Sequence, residues 1–261
     1  MSRLPLYLFL IPAIYLFGCK PRTEDLLFSV NTDKRVREIL ENAIMTSGGQ
    51  EKWYDLRKIK FDKVTQLFDS TGRLESSIDQ HHRYHLFPKH ILEIIWQDSL
   101  GNHQLMLRNN DVEKYLNGHR DDQLDSNATK HQLLAAEYAV LLPFKLLDPG
   151  IHFTYEGRDT FDGETVHIVR AQYQPETVTT YNTSDVWWHY INADNFVYEG
   201  YKVKHEDHYS LVINDEFTTI DELMLPHRRR SYLLDSSGKK LFKRADYLYH
   251  NYHIRLGEDR K

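Results

Sequence analysis

At 261 residues, with 33 basic against 38 acidic side chains, the chain carries a net charge of −5. That mild acidity argues against nucleic acid as a partner and against a polybasic grip on anionic lipid. A single cysteine excludes an internal disulfide or a thiolate metal site, so stability has to come from a hydrophobic core, which a chain of this length can bury as one domain.

The chain opens with Arg3 and an uncharged apolar run from Leu4 to Phe17. That run is too short to cross a bilayer comfortably and reads as the apolar stretch of a signal peptide over residues 1–18. It ends in Leu16-Phe17-Gly18-Cys19, which resembles the bacterial lipobox. The resemblance implies cleavage before Cys19 and acylation of that residue, so acyl chains, at about 0.8 kcal/mol per buried CH₂, would hold the protein to a membrane. The alternative is an N-terminal membrane helix with an incidental cysteine. Charged residues without a clear period follow, so residues 19–32 form the lipidated cysteine and a tether.

From Asp33 to Ser47 the apolar residues Val36, Ile39, Leu40, Ala43 and Ile44 recur at helical spacing, with Thr32 or Asp33 as N-cap and Gly48-Gly49 as the stop. After Trp53 the period becomes that of strands. Turn sequences such as Asp69-Ser70-Thr71-Gly72, Asn109-Asn110-Asp111 and Asn117-Gly118 separate runs such as Ile59 to Phe68, Ile91 to Gln97 and His103 to Arg108. A second helix spans Thr129 to Leu142, ended or kinked by Pro143. Seven further strands are predicted between Ile151 and Tyr249. The fold class is therefore α+β: a large curved antiparallel sheet of ten or more strands, an incomplete β-barrel, wrapped over two main helices. Residues 33–261 form a single domain.

Enzyme motifs are missing: there is no dinucleotide fingerprint, phosphate loop, Gly-x-Ser-x-Gly elbow or His-Glu-x-x-His. Histidines cluster at His81-His82-His85, at His205 and His208 around Glu206-Asp207, and at His250 and His253. On one strand His81 and His85 stand about 13 Å apart and cannot close a site alone. His205 and His208 hold a metal only if the chain bends at Glu206-Asp207. Glu156 with Asp159, and Asp215 with Glu216, read as strand ends rather than acid and base pairs. Alternation divides His227-Arg228-Arg229-Arg230 between both sheet faces, where cross-strand acids or a lipid head group or acyl carbonyl would meet the arginines. Likewise Val186, Trp188 and Tyr190 share one face and Trp187, His189 and Ile191 the other, so this strand is buried on both or lines a cavity. Tyr198, Tyr201 and Val203 continue one of these surfaces.

Leu142-Pro143-Phe144-Lys145-Leu146-Leu147-Asp148-Pro149-Gly150, Tyr155-Glu156-Gly157, Trp188-His189-Tyr190-Ile191, Tyr198-Glu199-Gly200-Tyr201 and Ile220-Asp221-Glu222-Leu223-Met224-Leu225-Pro226 occur in that order. Over most of residues 33 to 250 this resembles envelope lipoproteins of Bacteroidota with a LolA/LolB-like fold. The resemblance implies a half-barrel closed by helices around an apolar cavity for acyl chains. The expected protein is then a non-enzymatic lipoprotein of the cell envelope, anchored in the outer membrane and facing the periplasm, without a cofactor. It binds a lipid, acyl chain or other apolar ligand on the concave face through Trp96, Met106, Trp188, Tyr190 and Tyr198. Two alternatives stand beside it: an interaction lipoprotein that binds an envelope protein partner with its interior packed solid, and a metal-dependent hydrolase built on His205 and His208.

Overall fold

The computed structural model describes residues 32–121, 123, 125–173, 185–205 and 208–257. Cys19, the signal peptide and residues 20–31 of the tether lie outside them. The first helix, α1 (Lys34–Thr46), starts where Asp33 Oδ1 accepts from the backbone N–H of Arg35 at 2.7 Å. Its buried face is Val36, Ile39, Leu40, Ala43 and Ile44, the five residues whose spacing predicts it. A short helix absent from the sequence reading, α2 (Gln50–Asp55), follows. Six residues have no helical period of their own to show; tertiary packing fixes them, with Trp53 stacked on Phe144 at 5.0 Å.

A first meander comprises β1 (Leu56–Phe68), β2 (Leu74–His85), β3 (Ile91–Asp98), β4 (Gly101–Arg108), β5 (Asp111–Leu116) and β6 (His119–Arg120). Then comes α3 (Ser126–Val140), capped by Asp125 accepting from Ala128 N at 3.0 Å, and a 3₁₀ turn at Phe144–Leu147 after Pro143. The second meander is β7 (Ile151–Phe161), β8 (Glu164–Tyr173), β9 (Val186–Asn192), β10 (Tyr198–Lys204), β11 (Tyr209–Ile220), β12 (Leu223–Leu234) and β13 (Lys240–Leu256).

Both meanders join in one open antiparallel sheet of 13 strands, because β1 pairs with β13. The strands at the two edges are β6 and β7. They are also consecutive in sequence, so the connection carrying α3 must cross from one edge of the sheet to the other. This crossing is why α3 lies inside the curve, against β3, β4 and β5, while α1 lies against β7. The half-barrel of the expected fold class is thus observed.

Two apolar clusters divide by strand face. The larger fills the concave side with residues of α1, α3, the 3₁₀ turn and the sheet, including Phe61, Tyr84, Trp187, Tyr198 and Tyr201. The smaller covers part of the convex side with Phe161, Val166, Tyr190, Leu211, Ile213 and Leu234. Strand β9 is therefore buried on both faces, as its alternating aromatics predict.

Candidate functional site

The concave face is not filled everywhere. Along α3, Leu133, Leu134, Tyr138 and Val140 reach the core, but the adjoining flank carries Ala135, Ala136 and Ala139. These short side chains, two of them packed on the core, line one side of a cavity of about 270 Å³ whose other side is the central strands. That volume is close to the low end of small-molecule sites, which run from about 300 to about 1,000 Å³. Ile94 and Val212 add apolar wall, while Lys63, Gln80 and Gln132 supply polar groups. Lys63 Nζ is held 5.0 Å from the centroid of the Tyr247 ring, which also lines the cavity.

Two buried polar side chains face this space, and both are set by strand alternation. His82 of β2 lies opposite Ile94 of β3, stacked on Phe61 with ring centroids 4.6 Å apart. Its Nδ1 is 2.7 Å from the Tyr84 hydroxyl. Burial, with Lys63 and His81 nearby, holds the imidazole well below the ordinary histidine pKa, so it is neutral. Arg229 of β12 points inward while Arg228 and Arg230 point outward to Glu216 and Asp215. Its Nε donates to Asn214 Oδ1 and its Nη1 to the Ala139 carbonyl at 2.6 Å. Asn214 in turn donates to the Tyr198 carbonyl at 2.6 Å.

The sequence-predicted ligand residues do not converge on one surface. Tyr198 is buried on the concave side, its hydroxyl 2.7 Å from His189 Nδ1. Trp96 is also concave, in register with the cavity residue Gln80 and stacked on His103 at 4.6 Å. Trp188 and Tyr190 stand on the convex face, where Tyr190 stacks on Phe161 at 4.1 Å and the Trp188 indole donates to Glu156 at 2.8 Å. Met106 alternates outward between the inward Leu105 and Leu107, its sulfur beside Arg108. The grouping of five in one cavity is therefore corrected to two on the concave side, because period two separates faces without telling which is hollow. His82, Gln132, Tyr249 and the three alanines were missed, although an Ala-rich flank on an otherwise apolar helix was a readable sign of room.

His205 N donates to the His208 carbonyl at 2.9 Å, and the two rings lie 4.7 Å apart. Asp185 Oδ2 is 3.1 Å from His205 Nδ1. Among the described residues no group of three or more His, Cys, Asp or Glu is placed to hold a metal ion; Glu206 and Asp207 lie outside those residues. Of the other acids considered, Glu156, Asp215 and Glu216 are strand residues in contact with tryptophan or arginine, and Asp159 accepts from the Thr160 backbone N–H at 2.7 Å. Two recesses of about 450 and 700 Å³ flank α1 against β7, lined in part by the exposed Arg35 and Glu38. Their buried polar contact, Tyr155 Oη to His167 Nδ1 at 3.1 Å, is already matched.

Residues 15–210 match the sequence pattern of DUF6503, a family of unknown function. The chain belongs to that family. Solved structures resemble this DUF6503 chain at low identity. A DUF1329 family protein from Desulfovibrio piger aligns with a TM-score of 0.57 and 9% identity, over 86% of this chain and 95% of its own. A domain from Vibrio parahaemolyticus, described as an outer membrane lipoprotein-sorting protein domain, aligns at 0.50 with 8% identity, over 85% and 93%. A LolA superfamily protein from Nitrosomonas europaea aligns at 0.49 with 12% identity, over 85% and 94%. The first two show a shared fold. No curated protein matches the sequence. Among the described residues no helix is long and apolar enough to cross a membrane.

Proposed function

We propose that this DUF6503 protein is a non-enzymatic lipoprotein of the cell envelope, anchored through acylated Cys19 and facing the periplasm from the outer membrane, that holds an acyl-bearing amphiphile between α3 and the concave sheet. The observation that carries the reading is the cavity beside Ala135, Ala136 and Ala139, in which these alanines, Ile94 and Val212 give an apolar wall and Lys63, Gln80, His82, Gln132 and Arg229 bring polar groups. Such a lining would gain affinity from buried methylenes, about 0.8 kcal/mol each, and orientation from the polar groups. The lipoprotein-sorting description of the Vibrio domain points the same way.

Native mass spectrometry with lipid extraction, on full-length protein made in a bacterial envelope, tests it. The expected result is one co-purified acyl-bearing ligand per chain, displaced when Ala136→Leu fills the cavity. A clean ligand-free mass, with no uptake of added decanoic acid, would sink the reading and leave the interaction lipoprotein in its place.

A further inference from the structure

The recess of about 450 Å³ between α1 and the edge strand β7 shares no lining residue with the cavity beside α3. A β-bulge decides what faces it. The β7–β8 register slips between Tyr155 and Gly157, so that Tyr155 pairs with Val169 and Arg158 with His167. Without the extra residue, strict alternation from Tyr155 would turn Asp159 toward α1 and Arg158 to the convex face. With it, Tyr155, Arg158 and His167 all line the recess. The acids of β7 are on the other side: Glu156 accepts from Trp188 and pairs with Arg170 at 3.0 Å, and the charges of Glu156 and Asp159 both reach Tyr190 of the convex cluster.

Arg35 lines the recess from α1, its Cζ 5.1 Å from the centroid of the Tyr155 ring. Stacking of this kind fixes the plane of a guanidinium and leaves its N–H edge free to donate. Arg35 and Arg158 are both exposed, and neither forms an ion pair among the described residues. One acid, Glu38, also lines the recess, and Lys34 Nζ stands 3.6 Å from it. Asn42 spends an amide hydrogen on the Glu38 carbonyl at 2.8 Å. Burial, with the charges of Arg158 and Arg35, holds His167 below the ordinary histidine pKa, so the imidazole is neutral. The recess therefore keeps an excess of positive charge. Its wall is Ile39, Tyr155 and Phe196. Phe196 has a φ of +59°, an angle that bulky side chains seldom adopt, and there its ring stacks on His167 with centroids 6.3 Å apart. Backbone strain of this kind persists where the placement of a side chain matters.

We propose that Arg35 and Arg158 bind a phosphate group, with Ile39, Tyr155 and Phe196 taking the apolar atoms attached to it. One arginine can satisfy both oxygens of a carboxylate, whereas two guanidiniums match the larger set of oxygens on a phosphate. The phosphate belongs to a phospholipid head group or to a soluble phosphate ester. Asp33 and Lys34, where the tether enters the domain, line the adjoining recess. Residues 20–31 reach at most about 40 Å when extended, so an acylated Cys19 would keep this end of the domain within range of the head groups. The site lies apart from the acyl cavity and does not depend on it.

Calorimetric titration of the full-length chain, held in a non-ionic amphipol, tests this with dihexanoylphosphatidylglycerol, glycerol 3-phosphate and the phosphate-free dihexanoylglycerol. Wild type is expected to bind at least one phosphate probe about tenfold or more tightly than dihexanoylglycerol, the share of a charge-assisted hydrogen bond. Tighter binding of the phospholipid names a head group as the source; equal or tighter binding of glycerol 3-phosphate names a soluble ester. Arg35→Gln and Arg158→Gln, both at exposed positions and checked for folding by circular dichroism, should each cut the affinity about tenfold. Arg108→Gln, an exposed arginine on β4, should leave it unchanged. So should Ala136→Leu, which fills the other cavity. No binding, or no preference for phosphate in wild type, would overturn the site. An affinity unchanged in both Arg35→Gln and Arg158→Gln would do the same, as would an equal loss in Arg108→Gln, the sign of diffuse charge. A loss in Ala136→Leu would place the probe beside α3 and overturn the assignment while leaving the acyl cavity standing.

Discussion

Arg229 Nη1 donates to the Ala139 carbonyl at 2.6 Å, and that bond ties β12 to the last turn of α3 across the hollow of the sheet. The carbonyl belongs to a helix C-terminus, where a cation is favoured by the backbone dipole. The same guanidinium holds Asn214 on β11, which holds the backbone of Tyr198 on β10. One side chain thus links the helix that roofs the cavity to three neighbouring strands of its floor.

Arg229→Ala is expected to cost about 2–4 kcal/mol, since it opens a void and leaves two buried oxygens without donors. Arg229→Met should cost less, because a well-packed apolar side chain often replaces a buried charge with little loss. Urea unfolding of both variants measures this. Equal stability of Arg229→Ala and wild type would show that the bridge contributes nothing.

The convex cluster separates stability from binding. Tyr190→Ala removes the ring stacked on Phe161 and should cost about 3 kcal/mol. Affinity for the ligand, measured at a temperature where the variant is folded, should stay unchanged, because Tyr190 and Trp188 stand on the face opposite the cavity. A loss of binding as large as that in Ala136→Leu would move the site to the convex face.

Much of this architecture was legible in local pattern. The period of Val36, Ile39, Leu40, Ala43 and Ile44 gave α1 to within a residue, and turns such as Asn117-Gly118 gave the meander. Strand β2 was harder, since its polar sequence buries just His82 and Tyr84. The start of α3 also came a turn earlier than its apolar period, at the Asp125 cap. Alternation sorted Arg229 from Arg228 and Arg230, and Trp187 from Trp188, correctly into two sets. Which set faces the hollow depends on the crossing from β6 to β7, a relation between the two edges of the sheet that no window of sequence contains.

Gly48 marks where α1 meets the β11–β12 hairpin. Ser47 O accepts from Met224 N at 2.9 Å, and a Cβ built on Gly48, whose φ is +120°, would lie 2.5 Å from the Glu222 carbonyl oxygen. Both the backbone angle and the contact exclude a side chain. Gly48→Ala should therefore cost about 2 kcal/mol or more, against about 1 kcal/mol for Gly72→Ala, which shares a positive φ but meets open space. Denaturant midpoints of the pair measure the difference, and equal losses would mean that the hairpin yields freely.

Acid should weaken the fold well before its carboxylates titrate. Burial pulls His189 down to about 3, and burial with Lys63 and His81 holds His82 well below the ordinary value. Both are neutral when folded, whereas in the unfolded chain each takes up a proton near the reference value of about 6.5. Below pH of about 6.5 the unfolded state therefore binds more protons than the folded one. Stability falls as pH falls, by up to about 1.4 kcal/mol per pH unit for each histidine, until the folded-state values are reached. Above pH of about 7 neither residue contributes a slope. Glu137 adds to the loss at lower pH: burial alone would raise its pKa, but Lys145 and His90 outweigh burial and hold it below the usual range, so its contribution disappears as it protonates. Urea midpoints measured from pH 7 to pH 4 should decline steadily in wild type. In His189→Phe the decline should be shallower, even though the variant starts lower at pH 7 because the Tyr198 hydroxyl has lost its acceptor. A wild-type midpoint that stays flat down to pH 5 would show that neither imidazole is held neutral by the core.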